Sequence, residues 1–309
     1  MLDKTMTVWY DRLVSERLRM SQKERPVSVR IVTDSNCDLP QEIVDQYGIT
    51  VVPMYVNIGT ESYLDGVELS REQFYEGLPT FKAHPTTSVP SPGQFYAAYQ
   101  RLAAEGATGI LSIHIAISLS AVVNSARLAA EEFGAVPVTI FDSGQLTLGT
   151  GLQVLAAAKA AAEGRSITEI VALLRDQGAR THTVAVLDTL EFLRRSGRLS
   201  RFQWGLGSML QVKPLLKMHD GEADMERVRT RNGATERLLE LVTGLGPLEE
   251  LALVHTHAPG RAEALRQKAQ ALFPDSRTPL SAEVTPVIGA HIGPGAVGFV
   301  AVKRKGEGK

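Results

Sequence analysis

Five residues spread along the chain, Thr87, Ser88, Ser120, Arg198 and His291, carry the groups an anion pocket needs. Three supply hydroxyl donors, one a permanent cation and one a tunable imidazole. A carboxylate taken out of water without partners is strongly disfavoured, and hydroxyls with an arginine fork are the residue types that offset that penalty. Each residue also has a plainer role. The hydroxyls of Thr86-Thr87-Ser88-Val89-Pro90-Ser91 could simply turn the chain ahead of a helix. Arg198 could complete a basic helix C-terminus, and His291 could be a structural histidine in a glycine-rich turn.

Other chemistries fit less well. The segment Gly289 to Gly298 is glycine-rich, but no Gly-Lys-Ser/Thr follows and a strand comes next, so a P-loop is excluded. Asp34 and Asp38 flank a strand end, with no partner motif for a phosphoryl-transfer nucleophile. His255-Thr256-His257 sets two imidazoles on one strand face with no third ligand, so no metal site is assigned. A Gly-x-Ser-x-Gly elbow is absent from the sequence. The residues alone favour binding an anionic small molecule over catalysis.

The elements that must position these groups follow from the pattern. Val29–Thr33, Ile49–Val56, Gly109–Ile115 and Val136–Phe141 are β-branched or apolar runs, each a candidate strand. Between them lie helical stretches, one starting at an Asp38 cap, one at a Ser70-x-x-Gln73 box and one at Ser91-Pro92-Gly93-Gln94. Gly149–Ala162 is a long alanine-rich helix, and Ser166-x-x-Glu169 caps the next. Strands alternating with helices imply a parallel sheet, whose ligands sit beyond the strands' carboxyl ends. Asp34-Ser35, Ser118-Ser120 and Asp142-Ser143 all fall there.

The second half reads differently. Lys213–Met218 and Ala223–Arg229, joined at Asp220-Gly221, form a hairpin. Leu251–His255, Val284–Ile288 and Val297–Val302 are further strands, with the glycine-rich stretch around His291 as a loop, giving a mixed sheet. The fold class is therefore α/β in two domains: an N-terminal α/β/α domain over 28–178 with a mainly parallel sheet, and a C-terminal α/β domain over 179–303. Residues 1–27 read as an N-terminal extension, disordered or a short amphipathic helix marked by Trp9, Leu13 and Leu18.

Composition sets limits. A net charge of -1 gives no global footprint for nucleic acid or an anionic membrane. Cys37 is the only cysteine, which excludes an internal disulfide and fits a reducing compartment. No apolar run is long enough to span a bilayer and no secretory signal is evident, so the cytoplasm is the expected location.

In order, the motifs Asp34-Ser35-x-x-Asp38-Leu39, Val52-Pro53, Tyr63-x-Asp65-Gly66, Thr87-Ser88-Val89-Pro90-Ser91, Leu119-Ser120 and Asp142-Ser143 resemble the DegV family of bacterial fatty-acid-binding proteins, which includes the FakB subunits of fatty acid kinase. Leu190-Glu191-Phe192-Leu193 into Gly197-Arg198-Leu199-Ser200, Lys213-Pro214 and Gly289-x-His291-x-Gly293-Pro294-Gly295-Ala296 extend the resemblance to about Val302. It implies a long-chain fatty acid held between two domains, its tail in an apolar tunnel. The carboxylate then faces Thr87 and Ser120, with Ser88, Arg198 and His291 in the same polar network. It also implies no cofactor and no catalytic residue in this chain. A separate dihydroxyacetone-kinase-like subunit would supply ATP and magnesium and convert the carboxylate to an acyl phosphate for phospholipid synthesis. Arg194, Arg195 and Arg201 are candidates for docking it. The chain departs from the family where Ala121-Val122-Val123 replaces the common Gly-Thr-Tyr. Two alternatives stand beside this reading: a small-molecule enzyme using Asp34 or His291 on an anionic substrate, and a lipid-responsive interaction protein with no kinase partner.

Overall fold

The computed structural model describes residues 28–199, 212–274 and 279–306. The expected extension over 1–27, and Ser200 and Arg201, lie outside the described residues.

The first half runs β1 (Val29–Asp34), α1 (Gln41–Tyr47), β2 (Thr50–Val52), β3 (Tyr55–Ile58), β4 (Glu61–Leu64), α2 (Arg71–Gly77), β5 (Thr86–Ser88) and α3 (Pro92–Ala104). It continues through β6 (Gly109–His114), α4 (Val122–Glu132), β7 (Val138–Asp142), α5 (Leu148–Ala162) and α6 (Ile167–Gly178). The second half runs β8 (Thr181–Val186), α7 (Glu191–Arg195), β9 (Lys213–His219), β10 (Glu222–Val228), α8 (Arg231–Gly244) and β11 (Leu248–His255). It ends with α9 (Pro259–Lys268), β12 (Ser281–Glu283), α10 (Pro286–Ile292) and β13 (Val297–Lys303).

The expected α/β architecture is present. Strands β2-β1-β6-β7 form a wholly parallel sheet, and β10-β9-β8-β13-β11-β12 form a mixed one in which only β11 and β12 run parallel. Strand β6 is buried along its whole length, as a central strand covered on both faces requires. The alanine-rich α5 lies between the two sheets, touching β1 on one side and β8 and β13 on the other. Ten of its fifteen residues are buried, which is why its sequence is small and apolar all round rather than amphipathic. Gly151 sits where α5 meets the turn after β1, and a Cβ there would run into the Cys37 carbonyl.

Four local expectations are corrected. The run Ile49–Val56 is two strands, because Pro53 lacks an N–H and breaks the ladder. Strand β2 pairs with β1, whereas β3 turns away to form a small antiparallel sheet with β4 and β5. Thr86–Ser88, read as a turn, is thus a strand. Asp38 does not cap α1. It adopts a left-handed conformation (φ 50°) and turns its carboxylate inward, leaving Pro40 at the helix N-terminus. The region Val284–Ile292, read as strand and loop, is mostly helix, with Pro286 in the first turn of α10.

Other expectations hold. Gln94 accepts from the Ser91 N–H at 2.9 Å, closing the expected capping box. Strands β9 and β10 form the expected hairpin, with positive φ at both Asp220 and Gly221 as a two-residue primed turn demands.

One apolar core joins the halves. Buried residues of the first half are continuous with Val287, Ile288 and Ala290 of α10 and with Val254 and Val300 of the mixed sheet. A second core lies under α8 and α9 on the sheet's other face. Substituting Gly151→Ala forces α5 away from the turn after β1. We expect a loss of about 1–3 kcal/mol in urea denaturation, and unchanged stability would contradict this packing.

Candidate functional site

Ligands of parallel sheets meet the loops beyond the strands' carboxyl ends. Here those loops supply Asn36 after β1, Met54 after β2, Ile115, Leu119 and Ser120 after β6, and Leu146 after β7. Across from them stand Thr87 and Val89 of the β5 region, Leu193 and Arg198 around α7, Leu216 of β9, and Val287, Ile288, His291 and Ile292 of α10. Together they enclose a cavity of about 250 Å³ whose walls are mostly apolar. A smaller space of about 30 Å³ adjoins it, sharing Leu146, Leu216, Ile288 and Ile292 and lined further by Ala185, Leu187 and Val254.

All five candidate anion-binding residues line this one cavity, although they come from four separate stretches of sequence. Thr87 and His291 meet directly, Oγ1 to Nε2 at 2.9 Å. Ser120 Oγ accepts from the Val122 N–H at 3.3 Å, at the start of α4. Arg198 donates to the Ser196 carbonyl at 2.7 Å, which turns its side chain back across the end of α7.

Ser88 is placed differently. Side chains alternate along a strand, so Ser88 shares its face with Thr86 rather than Thr87. Its hydroxyl accepts from Asn57 Nδ2 at 2.9 Å, and the residue is exposed. Only its neighbour's hydroxyl reaches His291. Arg194 and Arg195 both pair with Glu191, at 2.8 and 2.6 Å, on an exposed helix end.

His291 is held in place by a polar seat under α10. The Thr285 N–H donates to Asp38 Oδ1 at 2.8 Å, and the Thr285 hydroxyl donates to Asp65. Arg71 donates to the Glu283 carbonyl at 2.8 Å and to Asp38 at 3.1 Å, while Thr147 gives Asp38 a further bond at 2.6 Å. Tyr75 OH reaches the Val284 carbonyl at 2.9 Å, and the absence of a side chain at Gly289 lets the Tyr75 ring lie against the helix. Asp38 and Asp65 stand in sequence motifs, but no local pattern signals this role for them or for Arg71, Tyr75 and Thr285.

A second buried network lies under the loops. Asp34 accepts from the Asn36 backbone N–H (3.0 Å) and side chain (2.7 Å), from Ile115 N–H (3.2 Å) and from His114 Nδ1 (2.9 Å). Ser112 bridges His114 Nε2 at 2.7 Å and Tyr99 OH at 3.0 Å. Burial pushes the Asp34 carboxyl up, but the bond and charge of His114 with the two bonds from Asn36 outweigh it and hold it below its usual range. Asp34 is wholly buried and does not line the cavity. Its arrangement is that of a group fixing loops rather than one meeting a substrate.

Among the described residues, no cluster of His, Cys, Asp and Glu could hold a metal ion, and no helix is long and apolar enough to cross a membrane. His257 stacks on Tyr75 instead of joining His255 at a shared ligand position.

A parallel sheet and a mixed sheet closed around one apolar cavity define a two-part α/β architecture. The chain belongs to the DegV family: the model for that family of uncharacterised proteins matches residues 28–304. A DegV domain-containing protein of Streptomyces coelicolor is 38% identical over 281 residues, covering 89% of this chain and 99% of its own. One from Deinococcus radiodurans is 41% identical over 279 residues, covering 88% and 97%. Among solved structures, a fatty-acid-binding DegV family protein from Thermus thermophilus is 34% identical with a TM-score of 0.81, covering 90% of this chain and all of that one. DegV of Bacillus subtilis, a fatty acid binding protein, is 30% identical with a TM-score of 0.82 over the same shares.

Burial pushes the Asp38 carboxyl up to about 6 against the pull of Arg71, from an ordinary value of 3.8. The folded chain therefore keeps a proton that the unfolded chain has released. This group's contribution to stability is full below about pH 4 and falls as pH rises through about 6. Denaturation measured across that window should show a shallower decline in Asp38→Asn than in the wild type. An identical slope would remove Asp38 from the seat's titration.

Proposed function

We propose that this protein binds a long-chain fatty acid in the cavity between its halves and presents the carboxylate to a separate kinase subunit. The observation carrying this reading is one mostly apolar cavity whose wall includes a Thr87–His291 pair, Ser120 and Arg198. Hydrocarbon fits the apolar wall, and only an anionic or strongly accepting head fits that polar set. The fatty-acid-binding relatives from Thermus and Bacillus support the same reading.

Thr87 and Ser120 donate to the carboxylate, Arg198 supplies the compensating charge, and His291, braced by Thr87, fixes the head's orientation. Affinity comes mainly from the tail. At about 0.8 kcal/mol per buried CH₂, a chain of about 15 methylenes contributes on the order of 12 kcal/mol before the losses of association. The polar residues then decide which end stays accessible and keep it ionised.

In the kinase step, a carboxylate oxygen attacks the γ-phosphorus of ATP bound to a dihydroxyacetone-kinase-like partner, ADP leaves, and an acyl phosphate forms. This chain acts as carrier rather than catalyst and needs no cofactor. The cytoplasm is the compartment where such a partner and ATP are available.

Two measurements test the reading. Calorimetry with a saturated fatty acid series should show affinity rising about fourfold per added methylene until the cavity is filled. Affinity independent of length would exclude a buried tail. The double variant Thr87→Ala with Ser120→Ala should keep the fold and lose about tenfold or more in affinity, with a larger loss in acyl phosphate formed on adding kinase and ATP. Unchanged phosphorylation would overturn the head-group assignment. Tight binding with no acyl phosphate from any such kinase would favour a lipid-responsive interaction protein.

A further inference from the structure

Asp188 follows β8, and basic side chains from three other elements converge on one of its oxygens. Lys213 Nζ, at the start of β9, donates to Asp188 Oδ1 at 3.1 Å and to the Asp188 carbonyl at 2.7 Å. Arg231, in the first turn of α8, donates to the same Oδ1 at 2.7 Å. Arg261, in the first turn of α9, lies 3.6 Å from that oxygen and donates to the Gly295 carbonyl. None of these side chains lines the cavity or the smaller space beside it.

The cluster is unbalanced. Among the described residues, Asp188 is the only carboxylate paired with any of the three cations, which leaves two positive charges in excess. Burial pushes the Asp188 carboxyl up, but the bonds and charges of Lys213 and Arg231 outweigh it and keep the group ionised. Burial, and then the charge of Arg231, push the Arg261 guanidinium down. The helices add to the imbalance. A cation at a helix N-terminus opposes the dipole, and neither α8 nor α9 has an acidic residue in its first turn.

The cations are also reachable and held in place. Arg231 has 56% of its side chain exposed, and Lys213 and Arg261 are partly exposed. The Asp188 carbonyl fixes Lys213, and the Gly295 carbonyl fixes Arg261. We propose that Lys213, Arg231 and Arg261 bind a phosphate dianion, either free or as the terminal group of a larger phosphorylated ligand. Two excess charges match one dianion, whereas a single carboxylate would leave one unmet. Guanidinium forks and an ammonium are the donors that phosphate oxygens take. Convergence on one carboxylate oxygen suits a compact tetrahedral group better than a spread acidic surface. Binding here does not require a fatty acid in the cavity.

Calorimetry of the full chain with inorganic phosphate, at an ionic strength held constant with chloride, tests the proposal. One saturable site is expected, and Arg231→Gln should weaken it about tenfold or more. Arg175→Gln, which removes an exposed arginine of α6, should leave it unchanged. No binding beyond the chloride control overturns the proposal and leaves the cluster to the carboxylates of a protein partner. Equal weakening by both variants also overturns it, because overall charge would then be responsible. Titration with ATP separates the two sources. Binding tighter than that of phosphate and weakened by Arg231→Gln assigns the group to a larger ligand, and binding no tighter assigns free phosphate. The wild-type comparison with chloride stands even if a variant does not fold.

Discussion

The seating of α10 on buried carboxylates is the constraint from which the site follows. His291 belongs to the second half of the chain and Thr87 to the first, yet they meet at 2.9 Å. What brings them together is Thr285, whose N–H and hydroxyl are taken by Asp38 and Asp65 from the first half. Both carboxylates are buried, and burial raises both above the ordinary carboxylate range. Removing water from two such groups is unfavourable unless donors replace it. Arg71, Thr147 and Thr285 are those donors for Asp38, and three of their bonds run between segments distant in sequence. The seat is specific because a displaced α10 would leave buried acceptors unmet.

The hairpin tip forms a second tie between the halves. The Gly221 N–H donates to the Gly144 carbonyl at 3.1 Å, and Ser118 Oγ donates to the Gly221 carbonyl at 2.7 Å. These bonds join the loops after β6 and β7 to the turn between β9 and β10. Gly221 has φ 78° and Gly144 φ 60°, so both backbones take the left-handed conformation that glycine tolerates. The cavity is thus bounded on one side by α10 in its seat and on another by loops fastened to the second sheet. Its apolar wall is part of the same core that makes the two halves one body.

Much of this was legible in the sequence, and the reasons are physical. Strand ends followed by Asp34-Ser35, Ser118-Leu119-Ser120 and Asp142-Ser143 locate the ligand edge, because parallel strands must all finish on one side. Thr87, Ser120, Arg198 and His291 were recognisable by type. What stayed hidden depends on contacts across the chain. Thr285 and Asp38 are 247 positions apart, and Arg71 and Glu283 are 212 apart, distances no local pattern encodes. The helix α10 was masked by Gly289, which reads as a breaker locally but is required where Tyr75 lies against the helix. Ser88 shows the opposite limit. Its type suits the site, but the alternation of strand β5 turns its hydroxyl to Asn57.

The central claim is that the cavity between the halves holds an acyl chain. Mass spectrometry of an organic extract from the purified full chain tests it most directly. The account predicts about one long-chain fatty acid per protein molecule. An extract without fatty acid, from a protein that also takes up none when they are added, would contradict it.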